Sequence, residues 1–254
     1  MNRNLDLKPW MDEWPHDPDK NIRLIRCSDG RTVIQVRQPV GIEQYETEGR
    51  PDGTRPHGAD SALDYQLARW QQAKTEGTED AFRLSEDECA ELFNEGVLYY
   101  FRYFYLFQLE EWELTVRDTT RNMRLFDFVS RHAEREEDRT HLEQWRPYII
   151  RMNAVARAML AVDDQDHGQA REILQAAIAQ VEGLEKIDNQ TFQFEAERSL
   201  AALRELLEQI ESNRPLSERE RLERALKAAV DEEQFERAAE LRDKIRDLDH
   251  MRQR

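Results

Sequence analysis

Two short runs near the start of the chain, NIRLIRC and RTVIQVR, alternate apolar and polar positions, with Ile22, Leu24, Val33 and Val36 among the apolar ones. Period-two alternation marks a half-buried strand, and the intervening SDGR supplies an Asp-Gly turn, so the pair predicts a β-hairpin. GIEQYE, residues 41–46, predicts a third strand. The following TEGRPDGTRPHGAD concentrates Gly and Pro in a loop that ends at Ser61 and the helix SALDYQLARWQQAK. Three short strands are marginal alone, and this helix, with Leu63, Leu67 and Trp70 at three-to-four spacing, is the expected cover of the sheet.

From Ser85 the period lengthens to that of a helix. Ser85 and Glu88 have capping-box spacing and open a stretch that divides into two long helices near Leu109 to Glu111. Inside it lies YYFRYFYLF. A stacking platform for single strands interleaves aromatics with cations, and here Arg102 stands alone; the run is also too short to cross a bilayer, so it reads as a helix buried on several sides. After the charged connector RHAEREEDRT, the stretches WRPYIIRMNAVARAMLAV, GQAREILQAAIAQVEGL and TFQFEAERSLAALRELLEQI repeat apolar residues at helical spacing and predict stacked hairpins. Pro147 fits either a helix start or a kink in a helix begun near Thr140. The segment ARAMLAVDDQDHGQAREILQAAI resembles a degenerate tetratricopeptide helix pair through Ala158, Ala161, Ala170 and Ala177, without a persistent repeat.

Composition supports folding throughout. The 254 residues are 39% apolar with five Trp, seven Tyr and ten Phe, too rich for a disordered chain despite 35% charged residues and a net charge of −16. The expected fold is α+β and mostly α: a small N-terminal antiparallel β unit over 1–84, a helical-hairpin stack over 85–214, and a C-terminal helical hairpin over 215–254. The charge is uneven. Lys and Arg number 12 against 15 Asp and Glu in 1–84, 15 against 27 in 85–214, and 10 against 11 in 215–254. Affinity for nucleic acid rests on neutralising phosphates, so a chain this acidic without a basic stripe is expected to make no direct nucleic-acid contact.

Candidate chemistry is sparse. MNRNLDLKPWMDEW lacks the apolar stretch of a signal peptide, and no segment approaches the roughly 20 apolar residues of a membrane span, so a cytoplasmic location without membrane contact is expected. Cys27 and Cys89, far apart and outside any CxxC, are expected to be reduced, packed thiols. Glu13 with His16, and Asp138 with His141, have isolated metal-like spacings. There is no HExxH, GxSxG, Walker lysine loop or zinc-spaced Cys/His cluster, so neither a metal, nor a cofactor, nor an enzyme is expected. The weak ligand candidate is the loop, where Arg50, Arg55 and His57 flank glycines just ahead of a helix start, a place where free N–H groups favour an anion.

The end of the chain carries the sharpest signal. Pro215 ends the preceding helix, Ser217 and Glu220 repeat the capping-box spacing, and Leu222, Leu226 and Ala229 mark one helical face. After a turn near DEEQ, Phe235, Ala238, Arg242 and Ile245 carry the stripe of a return helix, with Leu241 beside them, while Glu220 with Arg224, Glu223 with Lys227 and Glu240 with Lys244 form i,i+4 pairs on the wet side. LERALKAAVDEEQFERAAELRDKIRDL, with its F-E-x-A-A-x-L-R-D-x-I core at Phe235, Glu236, Ala238, Ala239, Leu241, Arg242, Asp243 and Ile245, closely resembles the UVR (UvrB/UvrC) motif. That motif occurs in excinuclease helicase and nuclease subunits, Clp-type chaperones and arginine-kinase activators. The resemblance implies a protein-contacting hairpin with Phe235, Ala238, Leu241 and Ile245 as contact surface, pairing with another UVR-motif protein, with a second copy, or with a different protein. The whole chain also resembles uncharacterised bacterial proteins with this motif behind an RPDG…RPHG segment, here Arg50 to Gly53 and Arg55 to Gly58. The ATP loop of the helicase and chaperones and the CxxC modules of the activators are missing, and no nuclease signature is evident. The function expected is a non-enzymatic adaptor with a partner surface at Leu222, Leu226, Phe235, Ala238, Leu241, Arg242 and Ile245. The alternatives are an accessory factor in nucleotide excision repair, or a purely structural hairpin with an unrecognised ligand or enzyme site near His57.

Overall fold

The computed structural model describes residues 6–213 and, beyond them, positions 222, 225–227, 237, 242 and 244. The chain divides into two compact units, 1–208 and 209–254. The described residues form a mostly helical α+β fold with a small antiparallel sheet near the N-terminus.

Strands β1 (Ile22–Arg26), β2 (Thr32–Gln38) and β3 (Gly41–Glu46) pair antiparallel in that order, as the alternation requires. Ile22 lies opposite Val36 and Arg26 opposite Thr32, and the turn between them closes with Gly30 at φ 89°, which only glycine adopts without strain. One face of the sheet presents Ile34 and Val36 to a core. On the other, Arg23 stacks over Trp14 at 3.8 Å and Arg37 donates to the Trp14 carbonyl at 2.7 Å, so the segment after α1 (Lys8–Glu13) lies on that face.

Helix α2 (Ala62–Glu76) begins at Ser61, whose Oγ accepts from the Asp64 N–H, and ends at Gly77 in the left-handed region. It is not the cover of the sheet. Leu63, Leu67 and Trp70 pack instead into a helical core with Phe82, Leu84, Leu92, Phe128 and Ile149. The cover is the last turns of α3 (Glu86–Gln108), where Tyr105 and Leu106 meet Ile34 and Val36, joined by Leu109 and by Leu114 of α4 (Trp112–His132). The reason is chain length: α3 has 23 residues, long enough to pack α2 with its first half and the sheet with its second. Both halves of the Ser85–Glu88 capping box are present, and the α3–α4 joint falls at Leu109 to Glu111, with Glu110 at φ 59°.

The charged connector folds further than its polarity suggests, giving the short α5 (Glu136–His141). Pro147 sits in the first turn of α6 (Arg146–Asp163) and so marks a start rather than a kink. Helix α6 is central, packing against both α4 and α7 (His167–Glu182), and the small residues Ala158, Ala161, Ala170 and Ala177 are buried as their spacing predicts. Asn189, whose side chain accepts from the Thr191 and Phe192 N–H groups, opens α8 (Gln190–Asn213).

Candidate functional site

The glycine-rich loop between β3 and α2 is held by two buried charged groups on the long helices. Arg102 is 1% exposed, and its guanidinium grips Asp118 bidentately at 2.6 and 2.9 Å. Its Nη1 donates to the carbonyls of Glu46 and Gly49, both at 2.8 Å, so one side chain of α3 fixes the start of the loop. Arg117 adds a bond to the Thr47 carbonyl at 2.6 Å and another to Asp118. Five donor nitrogens, making six hydrogen bonds, are thereby spent on satisfying a carboxylate and loop carbonyls that folding removes from water.

The second group is Glu95, fully buried on α3. Its carboxylate accepts from the N–H groups of Ala62 at 2.7 Å and Leu63 at 3.0 Å, pairs with Arg121, and lies 3.4 Å from Nε of Arg50. The N-terminus of α2, the candidate place for an external anion, already holds an internal one. The three loop side chains are likewise engaged separately. Arg50 points inward to Glu95 and bonds Thr54; Arg55 pairs with Asp60 at 2.7 Å; His57 stacks on Tyr65 with centroids 4.3 Å apart and meets Glu91 at 3.0 Å. They do not converge on one point. Arg50 and His57 therefore tie the loop to α3, while Arg55 pairs within the loop itself.

Asp138 and His141, at one of the metal-like spacings, make separate contacts of their own. Asp138 is bound bidentately by Arg135, whose hydrogen bonds hold its carboxyl below the usual range, while His141 stacks on Phe93. Among the described residues no group of three His, Cys, Asp or Glu is placed to hold a metal, and no helix is long and apolar enough to cross a membrane. Cys27 is a partly exposed free thiol, and burial pushes the Cys89 thiol up to about 12, which removes its nucleophilic form at neutral pH.

The aromatic run divides by face. Tyr99, Tyr103, Tyr105 and Leu106 are buried, while Val97, Phe101 and Phe104 remain substantially exposed. On that more open side, α3, α4, α6 and α8 enclose a pocket of about 500 Å³ whose walls include Tyr100, Trp145 and Tyr148. Two charged residues of α8, Glu195 and Arg198, complete it. Sequence reasoning passed over both, since a Glu and an Arg three apart on a helix look like any solvated pair.

In the terminal segment, Leu222 and Leu226 are helical and half-buried, and Arg242 is helical and exposed. Phe235, Ala238, Leu241 and Ile245 lie outside the described residues. Neither a curated protein nor a solved structure matches the chain. A family model does, over residues 217–250, and its subject is the UvrB/uvrC motif. Residues 217–250 thus carry a UvrB/uvrC motif, following the sheet and helices described above.

Proposed function

We propose that the protein is a non-enzymatic adaptor that binds another protein through residues 217–250. The observation that carries this reading is the match of that segment to the UvrB/uvrC motif. A segment of about 35 residues is below the size at which a chain sustains its own core, so the apolar positions Leu222, Leu226, Phe235, Leu241 and Ile245, which the sequence spaces as one helical stripe, need a covering surface. Another UVR-motif hairpin, on a second copy or a different protein, supplies a matching stripe. The net charge of −16 favours protein over nucleic acid as the partner, because polyanions are repelled at long range.

The test uses the full-length chain beside Phe235→Ala/Leu241→Ala. Sedimentation gives the mass of each, capture from the native cell gives the partners, and thermal melting gives stability. An adaptor loses its dimer or its captured protein while its melting temperature stays within about 2 °C of the parent, as expected for residues that face a partner. If the stripe only completes the fold, the double variant is destabilised, by roughly 2 to 5 kcal/mol per buried side chain, and keeps every partner. Tight, salt-sensitive binding of duplex or single-stranded DNA would replace the adaptor with a repair factor that contacts DNA directly.

A further inference from the structure

The pocket beside α3 contains a polar atom that the fold leaves without a partner. Glu195 is 6% exposed, it lines the pocket, and its Oε2 is buried with no hydrogen bond; the nearest cation, Nη2 of Arg151, is 4.0 Å away. Buried carboxylate oxygens are almost always satisfied, and an orphan in a pocket wall marks a position where a ligand's donor completes the set. We propose that this pocket binds a nucleotide, a flat heteroaromatic base whose N–H edge donates to Glu195 and whose phosphate meets Arg198.

Three features select that class. The walls are aromatic: Tyr100 and Tyr148 lie with centroids 5.9 Å apart, and Trp145, 41% exposed, stands at the rim, so a flat ring finds faces and edges to stack on. The volume of about 500 Å³ falls in the range of roughly 300 to 1,000 Å³ typical of small-molecule sites. The charges then decide between donors. Glu195 already lies 4.0 Å from the Arg151 guanidinium and Arg198 lines the same pocket, so an ammonium would meet two cations there, whereas a neutral ring N–H would not be repelled. Arg151 is held below the ordinary arginine range chiefly by burial, with the charge of Arg198 acting in the same direction and that of Glu195 opposing both. Arg198 itself is exposed and forms no ion pair among the described residues, which leaves it for an anionic group at the pocket mouth. A neutral donor edge on an aromatic ring that carries a separate negative charge is the constitution of a nucleotide.

The experiment is calorimetric titration of the full chain with AMP, GMP, CMP and UMP, the matching nucleosides, ribose 5-phosphate, tryptophan and tyramine. At least one nucleoside monophosphate should bind at a single site. Glu195→Gln should weaken it about tenfold or more, as loss of a hydrogen bond to a charged group does. Arg198→Ala should weaken the nucleotide but leave the corresponding nucleoside unchanged, a split that a merely structural role would not produce. Trp145→Ala, on the exposed rim, provides a further variant should Glu195→Gln fail to fold, and it should weaken nucleotide and nucleoside alike. The proposal is overturned if no nucleotide binds, if ribose 5-phosphate binds as well as the nucleotides, if tryptophan or tyramine binds in their place, or if the substitutions leave the affinity where it was.

Discussion

Replacing Arg102 with Met removes the cation of the loop clamp while keeping most of its volume. Asp118, 1% exposed, then keeps only Arg117 Nε at 3.0 Å, and the Glu46 carbonyl loses its donor. The Gly49 carbonyl retains just the Tyr99 hydroxyl at 3.3 Å. Breaking a buried ion pair on one side costs about 3 to 5 kcal/mol, and the stranded carbonyl adds toward the upper end of that range. Against a total stability of about 5 to 15 kcal/mol this is a large fraction. In a unit of this size about 1 kcal/mol moves the melting temperature by roughly 2 to 4 °C, so Arg102→Met should melt about 10 °C below the parent. Arg102→Met/Asp118→Leu should recover much of the loss, since an apolar pair replaces an orphaned carboxylate. Urea denaturation gives the energies, and hydrogen exchange at the amides of Glu46 and Gly53, which bond within the loop, reports whether the loop opens first. A single variant within about 1 kcal/mol of the parent, or a double variant as unstable as the single one, would refute the assignment of Arg102 as the clamp.

Two further outcomes are expected. His132 lies against Trp70, Phe82 and Phe128, and burial first, then Arg131 and Arg83, holds its pKa below 6.5. The unfolded chain therefore binds the proton more readily than the folded one. Stability is fully present above about pH 6.5 and falls as the pH drops through the folded-state value, and His132→Phe should flatten this part of a stability profile measured by urea titration across pH 4.5 to 8, all values being approximate. Gly77 ends α2 at φ 70° with nothing within 4 Å of an added Cβ, so Gly77→Ala strains the backbone without a clash and should cost about 1 kcal/mol in the same assay.

What the sequence made legible was whatever depends on neighbours along the chain. Strand alternation, the Asp-Gly turn, the Ser85 cap and the break at Leu109 to Glu111 each arise within a few residues, and each stands in the structure at that position. Even Arg102 was visible as the single charge in an aromatic run, a cation that such surroundings would reject without a partner. The partner was hidden because it sits 16 residues further on, across the α3–α4 joint, where an Asp in a charged chain carries no distinguishing mark. The same distance effect misdirected the reading of α2. Its stripe of Leu63, Leu67 and Trp70 announces that something is covered but does not say what, and the long α3 brought both the sheet and α2 against itself.

The loop shows the same effect of distance along the chain. Glycines and arginines ahead of a helix start suit an external anion, and the physics of that reading holds, because α2 does bind a carboxylate at its first two N–H groups. The anion is Glu95, more than 30 residues away in the chain. Since Glu95 also pairs with Arg121 and draws in Arg50, the loop is arranged to satisfy a charge of its own molecule, and supplied phosphate would have to displace a fully buried carboxylate to enter. The one buried carboxylate oxygen that lacks such a set of donors while lining a pocket is that of Glu195, among the described residues. The contrast between these two glutamates separates a charge that has finished its work inside the fold from one that still has a bond to make.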